Sequence, residues 1–128
     1  MYNMVMTRPD INYLLGFLSR ALQSPTEAYL KAIKRLISYL YGSLYGIHYS
    51  ASPDHSITPV VYSDSNFAAY KLTVRSTYGY VVMVAGGPVA WKSKRASSVV
   101  LSTLEAEFVG LIEANREILW LRGLYKEI

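Results

Sequence analysis

The chain of 128 residues contains no cysteine. Disulfides and thiolate zinc sites are excluded, and the composition suits a reducing compartment. Histidine is scarce too: His48 and His55 stand apart with no ligand spacing around them, and both read as structural. Long apolar runs are missing as well. The longest, "YGYVVMVAGGPVAW", is broken by Gly86-Gly87-Pro88 and falls short of the roughly 18 residues a membrane span needs, so no membrane partner is expected. The start, "MYNMVMTRPD", lacks a basic segment followed by an apolar one, and no secretory signal is expected. These absences point to an intracellular protein of the cytoplasm or nucleus.

What is present suffices for a packed core: 52% of residues are hydrophobic, which argues against disorder. The net charge of +4 is unevenly spread. Residues 1–50 and 51–101 each carry +3, whereas residues 102–128 carry −2. A basic majority of this kind suits a surface that meets an anionic partner, nucleic acid first.

Hydrophobic periodicity divides the chain into three parts. "DINYLLGFLSRALQ" repeats Ile11, Leu14, Leu15, Leu18 and Leu22 at helical spacing, which predicts a helix over about 10–22. A second helix is expected over about 25–41, with Ser24 as N-cap, Pro25 at the first position, Glu27 three residues after the cap and Gly42 as the stop. Its core stripe reads Tyr29, Leu30, Ile33, Leu36, Ile37 and Leu40. Lys31, Lys34, Arg35 and Ser38 share its other side, either a solvated face or one that tracks phosphate.

Residues 46–95 read as sheet. "GIHYS" is a candidate short strand, and Ser52-Pro53-Asp54 a turn. "ITPVVYSD", "TYGYVVMVA" and "GPVAWKSKR" predict a three-stranded antiparallel meander, the last two strands joined at Gly86-Gly87. The first strand ends in Asp64. A carboxylate there must be solvated, paired or bound to a cation, because burying it alone is costly. From about 103 onward the period is helical again. Ser102 and Glu105 form a capping box; Leu104, Phe108, Leu111 and Ile112 form one apolar stripe; Ile118, Leu121, Leu124, Tyr125 and Ile128 form a later one. Gly110 and Asn115 are candidate points for a bend.

The strings "RPDI", "KSKR", "EAEF" and "WLRGL" occur in that order. From Tyr62 to Leu124 the chain resembles the ribonuclease H region of Ty1/copia-type retrotransposon polyproteins, whose pattern runs Y-S-D-A-D-W-A-G, R-K-S-T-S-G-Y, W-S-S-K, S-S-T-E-A-E-Y and W-L-R-x-L. Residues 7–50 are similar to the same polyproteins where the reverse transcriptase finishes. The resemblance implies an α+β chain: residues 1–50 a helix pair ending the polymerase region, residues 51–128 a truncated ribonuclease H-like fold of meander plus C-terminal helix or helices.

It also implies cleavage of RNA in an RNA–DNA hybrid, with Asp64 and Glu107 in the places of two catalytic carboxylates that hold Mg²⁺. Such nucleases use paired cations to activate water and stabilise the leaving oxygen. The family carries two further acidic ligands on later elements, beyond this stretch, and Asn66, Phe67 and Ala69 replace the family's Asp, Trp and Gly beside the first carboxylate. A fragment with half a site is the expectation, inactive by itself or completed by a partner chain or self-association. The alternatives are a non-functional remnant, or a non-cutting module holding nucleic acid through Lys31, Lys34, Arg35, Lys92, Lys94 and Arg95.

Overall fold

The computed structural model describes residues 2–50, 58–70 and 75–127, with the backbone alone for 68–70. The turn expected at Ser52-Pro53-Asp54 and His55 lie outside the described residues. The chain is α+β and forms two compact units, Met1–Ile47 and His48–Ile128.

In the first unit, α1 (Tyr2–Met6), α2 (Asn12–Leu18) and α3 (Glu27–Gly42) surround Ile11, Leu18 and Leu36. Tyr29, Ile33 and Leu40 join this core, and the Phe17 and Tyr29 rings stack at 5.8 Å. Short α1 has no counterpart in the expected elements. The helix expected over 10–22 is three pieces: 3-10 turns at Pro9–Ile11 and Ser19–Ala21 flank α2. Ser19 Oγ donates to the Gly16 carbonyl at 3.0 Å, a back-bond that competes with regular helix.

α3 begins two residues later than expected. Its N-cap is Thr26, in extended conformation, and Glu27 pairs with Lys31 at 2.8 Å instead of closing a capping box. Leu30 and Ile37 are also exposed, at 51% and 61%, because they fall about 70–90° to one side of the line of Tyr29, Ile33, Leu36 and Leu40.

The second unit is a three-stranded antiparallel sheet in the order β1-β2-β3, covered by one long helix. The strands are β1 (Val60–Tyr70), β2 (Arg75–Val84) and β3 (Gly87–Arg95); the helix is α4 (Thr103–Glu127). The hairpin between β2 and β3 turns on Ala85-Gly86, both at positive φ (51° and 76°), one residue earlier than read from the glycines. Gly87 serves another need. A Cβ there would lie 2.5 Å from the His48 carbonyl oxygen and 2.6 Å from the Tyr49 ring. Residues 48–50 are accordingly a strap over the hairpin, and the strand expected across 46–50 does not form. Ser50 N–H donates to Ala85 at 2.7 Å and Tyr49 Oη donates to Pro88 at 2.9 Å.

One residue more on β3 than on β2 makes a bulge at Val89, which also seats Pro88 where no ladder N–H is needed. The unit's core is Tyr80, Val82, Ala114 and Leu121, with Val61, Val89 and Ala90 packed against it. α4 opens with half of the expected box: Glu105 N–H donates to Ser102 Oγ at 3.1 Å, while Glu105 Oε2 accepts the N–H of Leu101, one residue before the cap, at 2.7 Å. It runs unbroken past Gly110 and Asn115.

The first expected stripe of α4 faces outward; of the later one, Leu121 is buried and Ile118 half-buried as expected, whereas Leu124 and Tyr125 are exposed. Ala106, Gly110, Ala114 and Leu121 are buried, whereas Leu104, Phe108, Leu111 and Ile112 are exposed. Small side chains let the helix approach the sheet closely. A Cβ on Gly110 would sit 3.6 Å from Tyr78 Cβ and 3.7 Å from the Asp64 carbonyl oxygen.

Candidate functional site

Asp64 lies within β1, not at its end, because the strand continues to Tyr70. It is opposite Gly79 of β2, which in turn is opposite Ser93 of β3. Strand alternation fixes its direction. Val61, Ser63 and Ser65 pair with Val82, Tyr80 and Tyr78, the residues under α4. Tyr62, Asp64 and Asn66 therefore share the other face, and all three are exposed.

Glu107 is exposed on the flank of α4, one turn before Gly110. The two elements meet, since Gly110 closes on the Asp64 backbone. The two carboxylate side chains nevertheless belong to opposite faces of the sheet. Among the described residues no three His, Asp or Glu side chains gather as a metal site. A pair of Mg²⁺ ions needs several converging oxygens, so the residues present do not fit such a centre.

The acids that do reach the sheet are Glu113 and Glu117, which the family motifs pass over. Glu113 Oε2 accepts from Lys92 Nζ at 3.0 Å, and its Oε1 accepts from Arg116 at 3.0 Å. The Lys92 hydrogen bond holds the Glu113 carboxyl below the usual range. Tyr80 Oη donates to Glu117 Oε2 at 3.1 Å. Burial first, and the Glu117 charge second, push the Tyr80 phenol above its ordinary value; burial and Glu113 act alike on Tyr78. The signal for this row is the i, i+4 spacing of Glu113 and Glu117 beside Gly110, Ala114 and Leu121.

The basic candidates are in unequal positions. Lys92 is committed to Glu113 and Lys31 to Glu27, the latter pair on the surface. Lys34 and Lys94 are exposed. Arg35 is exposed and, within the first unit, lines a hollow of about 320 Å³ with Asp10, Ile11, Leu14, Leu36 and Tyr39. Arg95 is half-buried opposite Thr77, on the Asp64 face by alternation. At the rim of the hollow a polar clamp ties the chain start to the end of α3: Arg8 bonds both oxygens of Asp10 and the Ser43 carbonyl, and Tyr39 Oη donates to Asp10 at 2.8 Å. Arg8 holds the Asp10 carboxyl down to about 2. His48 is exposed.

The chain is similar to three named proteins in particular. It is 38% identical over 122 residues to "Secreted RxLR effector protein 161" of Plasmopara viticola, covering 94% of this chain and 84% of that one. It is 34% identical over 130 residues to "Retrovirus-related Pol polyprotein from transposon TNT 1-94" of Nicotiana tabacum, and 35% identical over 126 residues to the corresponding polyprotein from transposon RE1 of Arabidopsis thaliana. Those matches take in 100% and 98% of this chain but only 10% and 8% of the polyproteins. No family model and no solved structure matches.

Proposed function

Since the chain belongs to the family that takes in this Plasmopara viticola protein and the retrovirus-related Pol polyproteins of retrotransposons, we propose that it corresponds to the junction of their reverse transcriptase and ribonuclease H regions, with the cutting site incomplete. In this reading residues 1–50 end the polymerase region and 51–128 begin the ribonuclease H region. The supporting observation is the meeting of Asp64 on β1 with the turn of α4 that follows Glu107, through Gly110. The family motifs imply a strand aspartate beside a helix bearing glutamate; here the helix meets the backbone of that strand while the Asp64 side chain takes the other face.

Two carboxylates on opposite faces of a sheet do not converge on one Mg²⁺, and neither ion of a pair finds a ligand set in them. In-line displacement then has no matched pair of charges on its attacking and leaving oxygens. What the chain retains is the capacity to hold a hybrid's phosphates through exposed Lys34, Arg35 and Lys94. The deciding experiment incubates the purified chain with an RNA–DNA hybrid and Mg²⁺ beside an Asp64→Asn control. Equal background in both is expected. Cutting that the control abolishes overturns the incomplete-site reading and requires a partner chain or a further acid.

A further inference from the structure

The outer side of α4 is more apolar than the side that packs on the sheet. Leu104, Phe108, Ile112 and Leu119 stand on it, 55–65% exposed, with Leu111 at one edge and Trp120 at the other. Monomers rarely expose a contiguous apolar patch above about 300–600 Å². Four large side chains on one face of a helix, with one more at each edge, make a patch of that kind.

We propose that this face binds a second copy of the chain, α4 against α4, antiparallel about a two-fold axis near Asn115. The sequence along the face is complementary to its own reverse. Glu105, Ile112, Leu119 and Lys126 recur every seven residues and so run in one line along the helix. Reversed onto itself, that line sets Ile112 beside Leu119 of the second copy, and Glu105 beside Lys126. Glu105 keeps Oε1 for this purpose, its Oε2 being taken by the Leu101 N–H.

The neighbouring line obeys the same symmetry. Phe108 meets Arg122 of the second copy, a guanidinium against a ring. Asn115 faces itself on the axis, where one polar residue in an apolar seam fixes register. Charge also selects direction. Along the outer face Glu105 stands in the first turn of α4 and Arg122 and Lys126 stand in its last two turns, while Glu113 and Glu117 are turned to the sheet and Glu127 ends the helix. A parallel pair would set like charges together, whereas the antiparallel pair sets opposite ones together. An isologous contact of this kind closes at two copies.

The test uses the full chain in sedimentation equilibrium across a concentration series, where a monomer–dimer equilibrium is expected. Leu119→Glu should raise the dissociation constant at least about thirtyfold, the scale of an interface hot spot, with far-ultraviolet circular dichroism unchanged. Lys126→Glu, on the exposed last turn, should weaken association without touching the core and decides the matter if Leu119→Glu fails to fold. The absence of native cysteine allows a register check. Asn115→Cys should form a disulfide-linked dimer on oxidation, and Ile112→Cys should couple to Leu119→Cys in preference to itself. A chain monomeric at every concentration assigns the face to some other partner and overturns the proposal. So does a dimer indifferent to Leu119→Glu and Lys126→Glu, or coupling of Ile112→Cys chiefly to itself.

Discussion

Lys92 Nζ on β3 lies 3.0 Å from Glu113 Oε2 on α4, so a strand and its covering helix are joined by a half-buried ion pair. Removing one partner leaves the other charge partly desolvated and unpaired. Glu113→Gln should therefore lower stability by about 1–2 kcal/mol, the lower end applying because both groups keep some water. Urea unfolding at neutral pH measures it. Lys92→Met should be milder, since it removes the desolvated ammonium and keeps the packing of the stem.

Gly110→Ala tests how closely α4 rides on the sheet. The added methyl would meet Tyr78 Cβ and the Asp64 carbonyl at ordinary contact distances of 3.6 and 3.7 Å. Helix propensity alone favours alanine by up to about 1 kcal/mol. The expected outcome is a neutral or raised midpoint for Ala and a loss of about 1–3 kcal/mol for Gly110→Leu, which overpacks the same gap.

Gly87→Ala should behave in the opposite way. Its Cβ would collide with the His48 carbonyl and the Tyr49 ring. Either the strap at 48–50 detaches or the hairpin shifts. Limited proteolysis should then cut near Tyr49 in the variant and spare the parent chain. Equal resistance would count against the packing of the strap on the hairpin.

Acid should weaken the first unit in a particular window. The folded Asp10 carboxyl lies at about 2 against an ordinary 3.8, chiefly through its hydrogen bond with Arg8. A depressed folded value means that the stabilisation is complete above the ordinary value and is lost as pH falls from there towards 2. Asp10→Asn should flatten this part of the acid-unfolding curve, followed by helix dichroism.

Binding of an RNA–DNA hybrid, if carried by exposed cations, must fall with salt. Replacing Lys34, Arg35 and Lys94 by alanine should reduce the log–log salt slope by about one for each phosphate left without its cation. Lys92→Ala should change the slope less, because that ammonium is engaged by Glu113. A salt-independent affinity, or no binding at low salt, rejects the role.

The sheet was legible from period-two runs and turn glycines, and the α4 start from Ser102 and Glu105, since each of these signals is local. The inward face of α4 was not. Hydrophobicity selects the bulky line of Leu104, Phe108 and Leu111, whereas close approach to a sheet selects Ala106, Gly110 and Ala114. The direction of Asp64 was hidden for a related reason. Val60, Val61 and Tyr62 are apolar on both faces of β1, so only pairing with Tyr78, Tyr80 and Val82 decides which side the carboxylate takes.

The Tyr80–Glu117 bond gives the second unit an optical handle. Twelve tyrosines are present, and the Tyr80 phenol keeps its proton to higher pH than an ordinary one because it is buried against a carboxylate. Unfolding exposes that phenol and releases its proton, so rising alkalinity drives the helix off the sheet. The late increment of phenolate absorbance in an alkaline titration then reports the parting of α4 from β2 with no label attached.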